Sequence, residues 1–240
     1  MMFMLGFILL GTTLLLPLFT QTMLGYTAEK AGLALMPGGL VILASMPIVG
    51  FLLGRTDPRR IMIFGLCMLA AALFYMTNFD LQIDFRTAAL ARIIQGTGLA
   101  CLFVPINTVA YSYLPPGKNN AASGLINLAR NVGGSVGISF VTTMLDRRTQ
   151  YHRSQLSAHL NPANPRVQQM LHGASGALQA QSGMAATRQS YELLQRMVER
   201  QSTMLSYLDN FHVLAIVTMA MIPFVFLIRK PKRRGDTPVH

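Results

Sequence analysis

The sequence is short of charge, and of acid above all: only 9 of its 240 residues are Asp or Glu, and all charged residues make up 12%. An ordinary globular chain carries about 25% charge. Tryptophan is absent, and the two cysteines, Cys67 and Cys101, lie inside apolar runs, so no disulfide framework is indicated. The sequence has no phosphate-binding loop, dinucleotide fingerprint, nucleophile elbow or metal-spaced cluster of His and Cys. We therefore predict no catalytic residues, no metal site and no enzyme activity.

Long apolar runs dominate what is present. Hydrophobic residues make up 52% of the chain and are gathered into blocks. A helix needs about 20 apolar residues to cross roughly 30 Å of hydrocarbon, and backbone polar groups in lipid must be paired within the helix. We predict an all-α polytopic membrane protein with six transmembrane helices. The predicted crossings are residues 1–24, 31–53, 61–78, 88–114, 120–145 and 207–229.

One long hydrophilic segment, residues 146–206, separates the fifth and sixth crossings. The sequence "LNPANP" (160–165) predicts a break, because each proline removes a donor and disfavours helix in the preceding residue. From Thr187 to Leu205 the apolar residues recur at helical spacing. We therefore predict an extracytoplasmic loop that contains an amphipathic helix, and a basic cytoplasmic tail over residues 230–240.

The net charge of +11 has a topological explanation. Because the number of crossings is even, both termini lie on the same side of the membrane. Nine basic residues lie on that side as well: Arg55, Arg59, Arg60, Lys118, Arg229, Lys230, Lys232, Arg233 and Arg234. The positive-inside rule makes that side cytoplasmic, and both termini lie there. The basic residues therefore give no reason to expect a nucleic-acid partner. Because the first apolar run starts at residue 1, we expect the chain to be part of a longer protein.

Polar residues inside the apolar runs are the candidate functional residues. Arg130 lies near the middle of the fifth crossing, where an arginine costs about 2.5–3.5 kcal/mol on insertion scales. Polar faces of this kind turn towards a protein interior or a water-filled cavity. Side chains that share such faces of the fourth and fifth crossings are expected to line a substrate cavity or a helix interface: Gln95, Asn107, Asn127, Arg130 and Asn131. The simpler alternative is that they only bond one helix to another.

Two further features concern packing and coupling. Gly133, Gly134 and Gly137 bring small residues to one stretch of the fifth crossing, which predicts a close approach to another helix. No Asp or Glu lies within the hydrophobic body of any predicted crossing. Proton-coupled transporters usually relay protons through such acids or through histidines. If protons drive this protein, we expect their carrier to lie on another chain or segment.

Three stretches carry a family resemblance: "GYTAEKAGLALMPGGL" (25–40), "ARIIQGTGLACLFVPINTVAYSYLPP" (91–116) and "AASGLINLARNVGGSVGIS" (121–139). Together they resemble the C-terminal half of the EmrB/QacA-type fourteen-helix drug:proton antiporters of the major facilitator superfamily. The family's cytoplasmic loop motif has its counterpart in "GFLLGRTDPRR", which includes Gly50, Arg55, Asp57, Arg59 and Arg60. Gly54 stands where the family pattern has Asp, so the motif's charge relay is not expected to be intact.

The resemblance implies one six-helix bundle built from two inverted three-helix repeats, with substrate bound between this bundle and a missing N-terminal half. It implies export of small hydrophobic or amphipathic compounds by alternating access and proton antiport, with the proton gradient as energy source and no cofactor. It also implies the bacterial inner membrane, a periplasmic adaptor and an outer-membrane channel. Two other hypotheses remain: a half-size transporter acting as a homo-oligomer, and a membrane scaffold that transports nothing.

Overall fold

A computed structural model describes residues 2–81, 83–112, 119–158, 168–169 and 186–227. The secondary-structure elements of this part of the chain are all helical. They are α1 (Met2–Leu24), α2 (Ala28–Arg55), α3 (Pro58–Met76), α4 (Phe85–Ser112), α5 (Asn119–Ala158), α6 (Ala186–Ala220) and α7 (Ile222–Phe226). Five helical stretches within the described residues are long and apolar enough to cross a membrane, namely α1 to α4 and the segment 189–226. The protein is therefore an all-α polytopic membrane protein.

Both α2 and α3 start where the sequence offers a cap. Asp57 precedes α3 and its side chain accepts a hydrogen bond from the backbone N–H of Arg59 at 3.2 Å, with Pro58 at the first helical position. Thr27 does the same for α2, accepting from the N–H of Lys30 at 3.3 Å. Such caps satisfy backbone donors that a helix leaves open at its N-terminus. They place the start of α2 three residues before the apolar run that predicted it.

The segment predicted as a loop is helical at both of its ends. α5 continues past Leu145 to Ala158, and the amphipathic helix expected from Thr187 joins the last crossing as one helix, α6. The residues of α5 after 145 include several good helix formers and no Gly or Pro. The charge at Asp146 predicts where the membrane-spanning part of α5 ends. It does not predict the end of the helix, because the residues that follow can remain helical in water. The "LNPANP" break at 160–165 and the tail at 230–240 lie outside the described residues.

The last crossing is interrupted near its end. α6 ends at Ala220, Met221 forms a turn, and α7 begins with Pro223 in its first turn. Pro223 has no N–H to donate to the residue four positions earlier, and its ring crowds the preceding turn. The sixth crossing therefore consists of the end of α6 together with the short helix α7.

The chain divides into two compact units, and the larger one contains residues 1–141 and 211–240. Two clusters in this unit fix the helix directions. At one end, the rings of Phe19, Phe79 and Phe211 meet with centroids 5.8–6.4 Å apart. At the other end, a small apolar cavity is lined by the start of α1, the start of α3, the end of α4 and α7. α1 and α3 therefore run opposite to α4 and to the α6–α7 segment, as alternate membrane crossings must.

Contacts between glycine and backbone join α1 to α5. A Cβ at Gly133 would meet the carbonyl of Phe3, one at Gly137 would meet that of Phe7, and Gly11 faces Val141. The residue numbers rise together, so α1 and α5 run parallel. Parallel directions are required if α2, α3 and α4 each cross the membrane once between them. This is evidence that α5 also crosses the membrane. Its polar face makes it less apolar than the five helical stretches named above, so length and apolarity alone do not identify it as a crossing.

The same kind of contact joins α2 to α4 and α3 to α4. A Cβ at Gly96 would lie 2.5 Å from the carbonyl oxygen of Gly38, and one at Gly65 would lie 2.9 Å from that of Gly98. Small residues let membrane helices approach closely, which compensates for the weak hydrophobic drive between helices in lipid. α4 is thus the helix on which both α2 and α3 pack extensively.

The smaller unit, Thr142–Asn210, is held by polar contacts between α5 and α6. Thr149 donates a hydrogen bond to Ser206 at 3.0 Å. His152 lies 2.8 Å from the carboxylate of Asp209, and Arg148 lies 3.6 Å from the same oxygen. These polar side-chain contacts thus join α5 to α6 within the smaller unit.

Candidate substrate-binding face

Arg130 is partly buried on α5 and is held by an amide one turn away. Its Nη2 donates a hydrogen bond to Oδ1 of Asn127 at 2.8 Å. Both side chains remain accessible, because Asn127 is exposed and the bond itself lies at the surface of the bundle. The amide partner of Arg130 therefore comes from its own helix. A guanidinium has five N–H donors, so most of its capacity is open to another group.

Phe103 of α4 provides the contact between Arg130 and another helix. The guanidinium carbon lies 5.8 Å from the centre of the Phe103 ring, within the range of a cation–π attraction. One turn further along α4, Asn107 donates its side-chain N–H to the carbonyl of Phe103 at 2.7 Å and is partly buried. The sequence analysis missed Phe103, because a phenylalanine in an apolar run has no polar signal to single it out.

Asn131 completes the polar surface of α5. It follows Arg130 directly and is exposed. The structure thus brings Asn127 and Arg130 of α5 to Phe103 of α4, with Asn107 one turn away and Asn131 beside them. This set, which we call the Arg130 face, combines one cation, three amides and an aromatic ring. Such a mixture can hold an amphipathic molecule, with the ring contacting its apolar part and the polar groups its heteroatoms.

Gln95 belongs to a different environment. It is 1% exposed, and its Oε1 accepts a hydrogen bond from Nη1 of Arg92 at 2.6 Å. Arg92 is itself 8% exposed, and its backbone is in contact with Gly38 of α2. Nε of Arg92 and Nε2 of Gln95 find no partner within the described residues. The Arg92–Gln95 pair is therefore buried at the contact between α2 and α4, whereas the Arg130 face is accessible from outside the bundle.

The glycines predicted for packing all lie buried on the α1 side of α5. Gly133 and Gly137 face the backbone of α1, and Gly134 faces the side chain of Leu10. Through these contacts α1 packs against the part of α5 that carries Arg130. The backbone carbonyl of Arg130 is itself in contact with Gly6 of α1. The arginine is thereby carried on a helix that has a fixed position against its neighbour.

The residues of the cytoplasmic loop motif have separate local roles. The guanidinium of Arg55 lies 4.2 Å above the ring of Phe51, and Asp57 caps α3. Gly50 has nothing within 4 Å of the position a Cβ would take, so no contact in the described residues demands a glycine there. Arg59 is partly buried, and Arg60 lines a cleft between helices.

Comparison with known proteins places these features in a family. The family model for the Major Facilitator Superfamily matches residues 1–138. The chain is 33% identical over 226 residues to Multidrug export protein EmrB of Escherichia coli (strain K12), a match that covers 94% of this chain and 43% of that protein. It is 30% identical to Fatty acid resistance protein FarB of Neisseria gonorrhoeae, covering 96% of this chain and 45% of that protein. The chain thus spans less than half the length of these curated relatives.

Proposed function

Because this chain belongs to the Major Facilitator Superfamily, we propose that it is the C-terminal part of a multidrug efflux permease. It exports hydrophobic or amphipathic compounds by alternating access, with protons moving inward as the substrate moves out. The observation that carries this proposal is the 33% identity to Multidrug export protein EmrB across 94% of the chain. Two other relatives have names of the same kind: Fatty acid resistance protein FarB and Probable multidrug resistance protein EmrY.

In this proposal the Arg130 face forms one wall of the substrate pathway. The other wall belongs to an N-terminal half of similar size, and the substrate binds between the two bundles. Arg130 is the residue best suited to hold a polar or anionic group, because it is mid-membrane by position and accessible by structure. Asn107, Asn127 and Asn131 offer amide groups that can accept or donate. Gln95 does not line this pathway. It contributes indirectly, because it belongs to the buried contact that holds α4 against α2.

Proton coupling is assigned to the missing half. The nine Asp and Glu residues of this sequence lie in or beside the predicted loops, at helix ends, in the hydrophilic segment or in the tail. A proton carrier within the membrane therefore has to come from elsewhere. We also propose the bacterial inner membrane as the location, with both termini cytoplasmic. Residues 146–206 then lie on the periplasmic side, where a periplasmic adaptor and an outer-membrane channel would connect.

An efflux assay tests the proposal. The natural coding sequence, including any segment upstream of residue 1, is expressed in a bacterial host that lacks its own main drug exporters. We expect lower ethidium accumulation than with empty vector, and we expect a protonophore to remove the difference. Equal accumulation across ethidium and several other amphipathic drugs would reject efflux.

Two variants test the Arg130 face within this assay. Arg130→Ala should abolish most of the efflux at an unchanged level of membrane protein, while Arg86→Ala, an exposed arginine at the start of α4, should leave it intact. Normal efflux by Arg130→Ala would remove Arg130 from the pathway. Full efflux by the 240-residue chain alone would instead favour a half-size transporter acting as a homo-oligomer.

A further inference from the structure

A cleft of about 360 Å³ lies between α2, α3 and α4, on residues that take no part in the Arg130 face. α2 and α3 each pack extensively on α4 but barely touch each other, and this separation leaves the space open. The volume falls within the range of about 300–1,000 Å³ that is usual for small-molecule pockets. The cleft is thus large enough for a bound molecule, and it is distinct from the proposed substrate pathway.

The cleft opens sideways, on the outer surface of the described bundle. Ile48, Leu52 and Phe64 line it and are nevertheless 67%, 42% and 54% exposed. These side chains line the cavity and also form part of the outer surface, so the cavity is open on the side of the bundle. Apart from three hydroxyl groups, one thiol and one arginine, the lining is aliphatic and aromatic. An occupant would therefore enter from the membrane, and most of it would be hydrocarbon.

The length of the cleft matches one leaflet. Along α2 it extends from Thr56, just beyond the helix end, to Ser45. Eleven positions at 1.5 Å per residue correspond to about 16 Å. The hydrocarbon core of a bilayer is about 30 Å thick, so a single leaflet supplies about half of that distance. The cleft therefore runs from the membrane surface near the Arg55–Arg60 loop to the middle of the bilayer.

The surface end of the cleft is positively charged. Arg60 lines it there. Arg55 and Arg59 lie at the same junction between α2 and α3, with Asp57 as the one acid. The side chain of Arg60 is exposed, and among the described residues it forms no salt bridge or hydrogen bond. Basic pockets between membrane helices bind the head groups of anionic lipids. A guanidinium binds phosphate oxygens in a bidentate manner, which an ammonium does not.

We propose that this cleft binds an anionic phospholipid of the leaflet that borders the Arg55–Arg60 loop. One acyl chain fills the groove between α2 and α3 down to Ser45, and the phosphate contacts Arg60. The site needs the membrane insertion of this bundle but no transport step, so it goes beyond the proposed efflux function. Its occupant is a structural or regulatory lipid rather than the exported compound.

Native mass spectrometry of the intact natural protein in neutral detergent tests this site. Phosphatidylglycerol and phosphatidylcholine with identical acyl chains are added separately, and the bound fraction of each is measured. We expect about fivefold more phosphatidylglycerol than phosphatidylcholine to be retained, the preference that one well-placed arginine provides. Arg60→Gln should reduce the two lipids to the same level. Arg55→Gln removes a charge from the same loop but outside the cleft, and should keep most of the preference.

A second pair of variants tests the groove itself. Ser45→Leu fills the deep end and should lower retention of both lipids severalfold, while Ala44→Leu, at the adjacent exposed position, should not. The proposal is overturned if Arg60→Gln retains the preference, or if Ser45→Leu binds lipid as the unaltered protein does. Complete displacement of phosphatidylglycerol by an equal concentration of oleate would also overturn it, in favour of a free carboxylate. Ethidium efflux is measured on the same variants, so failure of lipid binding and failure of transport remain separate results.

Discussion

The two arginines of the apolar runs, Arg92 and Arg130, occupy corresponding positions and have opposite surroundings. The carbonyl of Arg92 on α4 lies against Gly38 of α2, and the carbonyl of Arg130 on α5 lies against Gly6 of α1. Each guanidinium is hydrogen-bonded to an amide three positions away, Gln95 in one case and Asn127 in the other. Yet Arg92 is buried, whereas Arg130 and its partner remain accessible.

An inverted repeat would produce this correspondence. If α1–α3 and α4–α6 are equivalent repeats, the pair α1–α5 corresponds to the pair α4–α2, with glycine and arginine exchanged between first and second helices. A contact between a glycine and an arginine backbone can therefore leave the arginine side chain either buried or accessible. The outcome depends on which of the two helices carries the arginine. The difference teaches that an intramembrane arginine cannot be assigned a role from its depth alone, because the neighbouring helices decide what it can reach.

The largest expected effect comes from breaking the contact between α2 and α4 beside Arg92. A Cβ at Gly38 would lie 2.9 Å from the carbonyl oxygen of Arg92, while Gly39 has nothing within 4 Å. Gly38→Val should therefore destabilise the bundle by about 1–3 kcal/mol or more through overpacking, and Gly39→Val should be close to neutral. Thermal unfolding of the purified protein in detergent measures both. Equal melting temperatures for the two variants would show that α2 and α4 do not pack as described.

Removing each arginine separates the two sites. Arg92→Met leaves the buried Gln95 amide without its partner and should cost about 1–2 kcal/mol of stability. The double variant Arg92→Met/Gln95→Leu should recover most of that loss, because both polar groups are then replaced by apolar ones. Arg130→Met should change the melting temperature little and reduce efflux instead. The opposite result, with Arg130→Met the less stable of the two, would reverse the assignment of the buried and the open site.

A smaller effect is expected from the ring beneath Arg130. Phe103→Leu keeps an apolar side chain and removes the cation–π contact, which is worth about 0.5–1 kcal/mol at an accessible position. A double-mutant cycle with Arg130→Gln, read by thermal unfolding, should give a coupling energy of that size. The same cycle between Phe103 and Arg92 serves as the control and should give none. Coupling to Arg92 but not to Arg130 would contradict the geometry of the open site.

The smallest effect is expected in the smaller unit, where polar side chains join α5 to α6. Asp209→Asn removes the carboxylate that meets His152 and Arg148, in a side chain that is 34% exposed. Solvent screening limits such pairs to about 0.2–1 kcal/mol. Amide hydrogen exchange of residues 142–158 should increase slightly, while exchange within α1–α4 should not change. An effect as large as that of Gly38→Val would mean that this unit is held together mainly by Asp209.

The helices of the bundle could largely be predicted from the sequence, because each apolar run is long enough to need a helix in lipid. The prediction was less accurate where lipid is expected to end. α5 and α6 continue as helices through residues that the charge pattern assigned to a loop, since charge reports solvent and not backbone conformation. Arg130, Asn127 and Asn107 were predicted as candidates from their polarity. Phe103 could not be, because it lies 27 positions from Arg130 and has no feature that distinguishes it from neighbouring apolar residues.

The sequence by itself determined that this chain is a bundle of membrane helices with few places for charge, because unpaired backbone and ionised side chains are costly in hydrocarbon. It also predicted which polar residues lie within the membrane-spanning segments. Only the tertiary structure decided that Arg92 is sealed against α2 while Arg130 stays open, and that α2 and α3 separate to leave a cleft beside Arg60. Those outcomes depend on which helices pack closely through glycine, and such contacts join residues far apart in the chain.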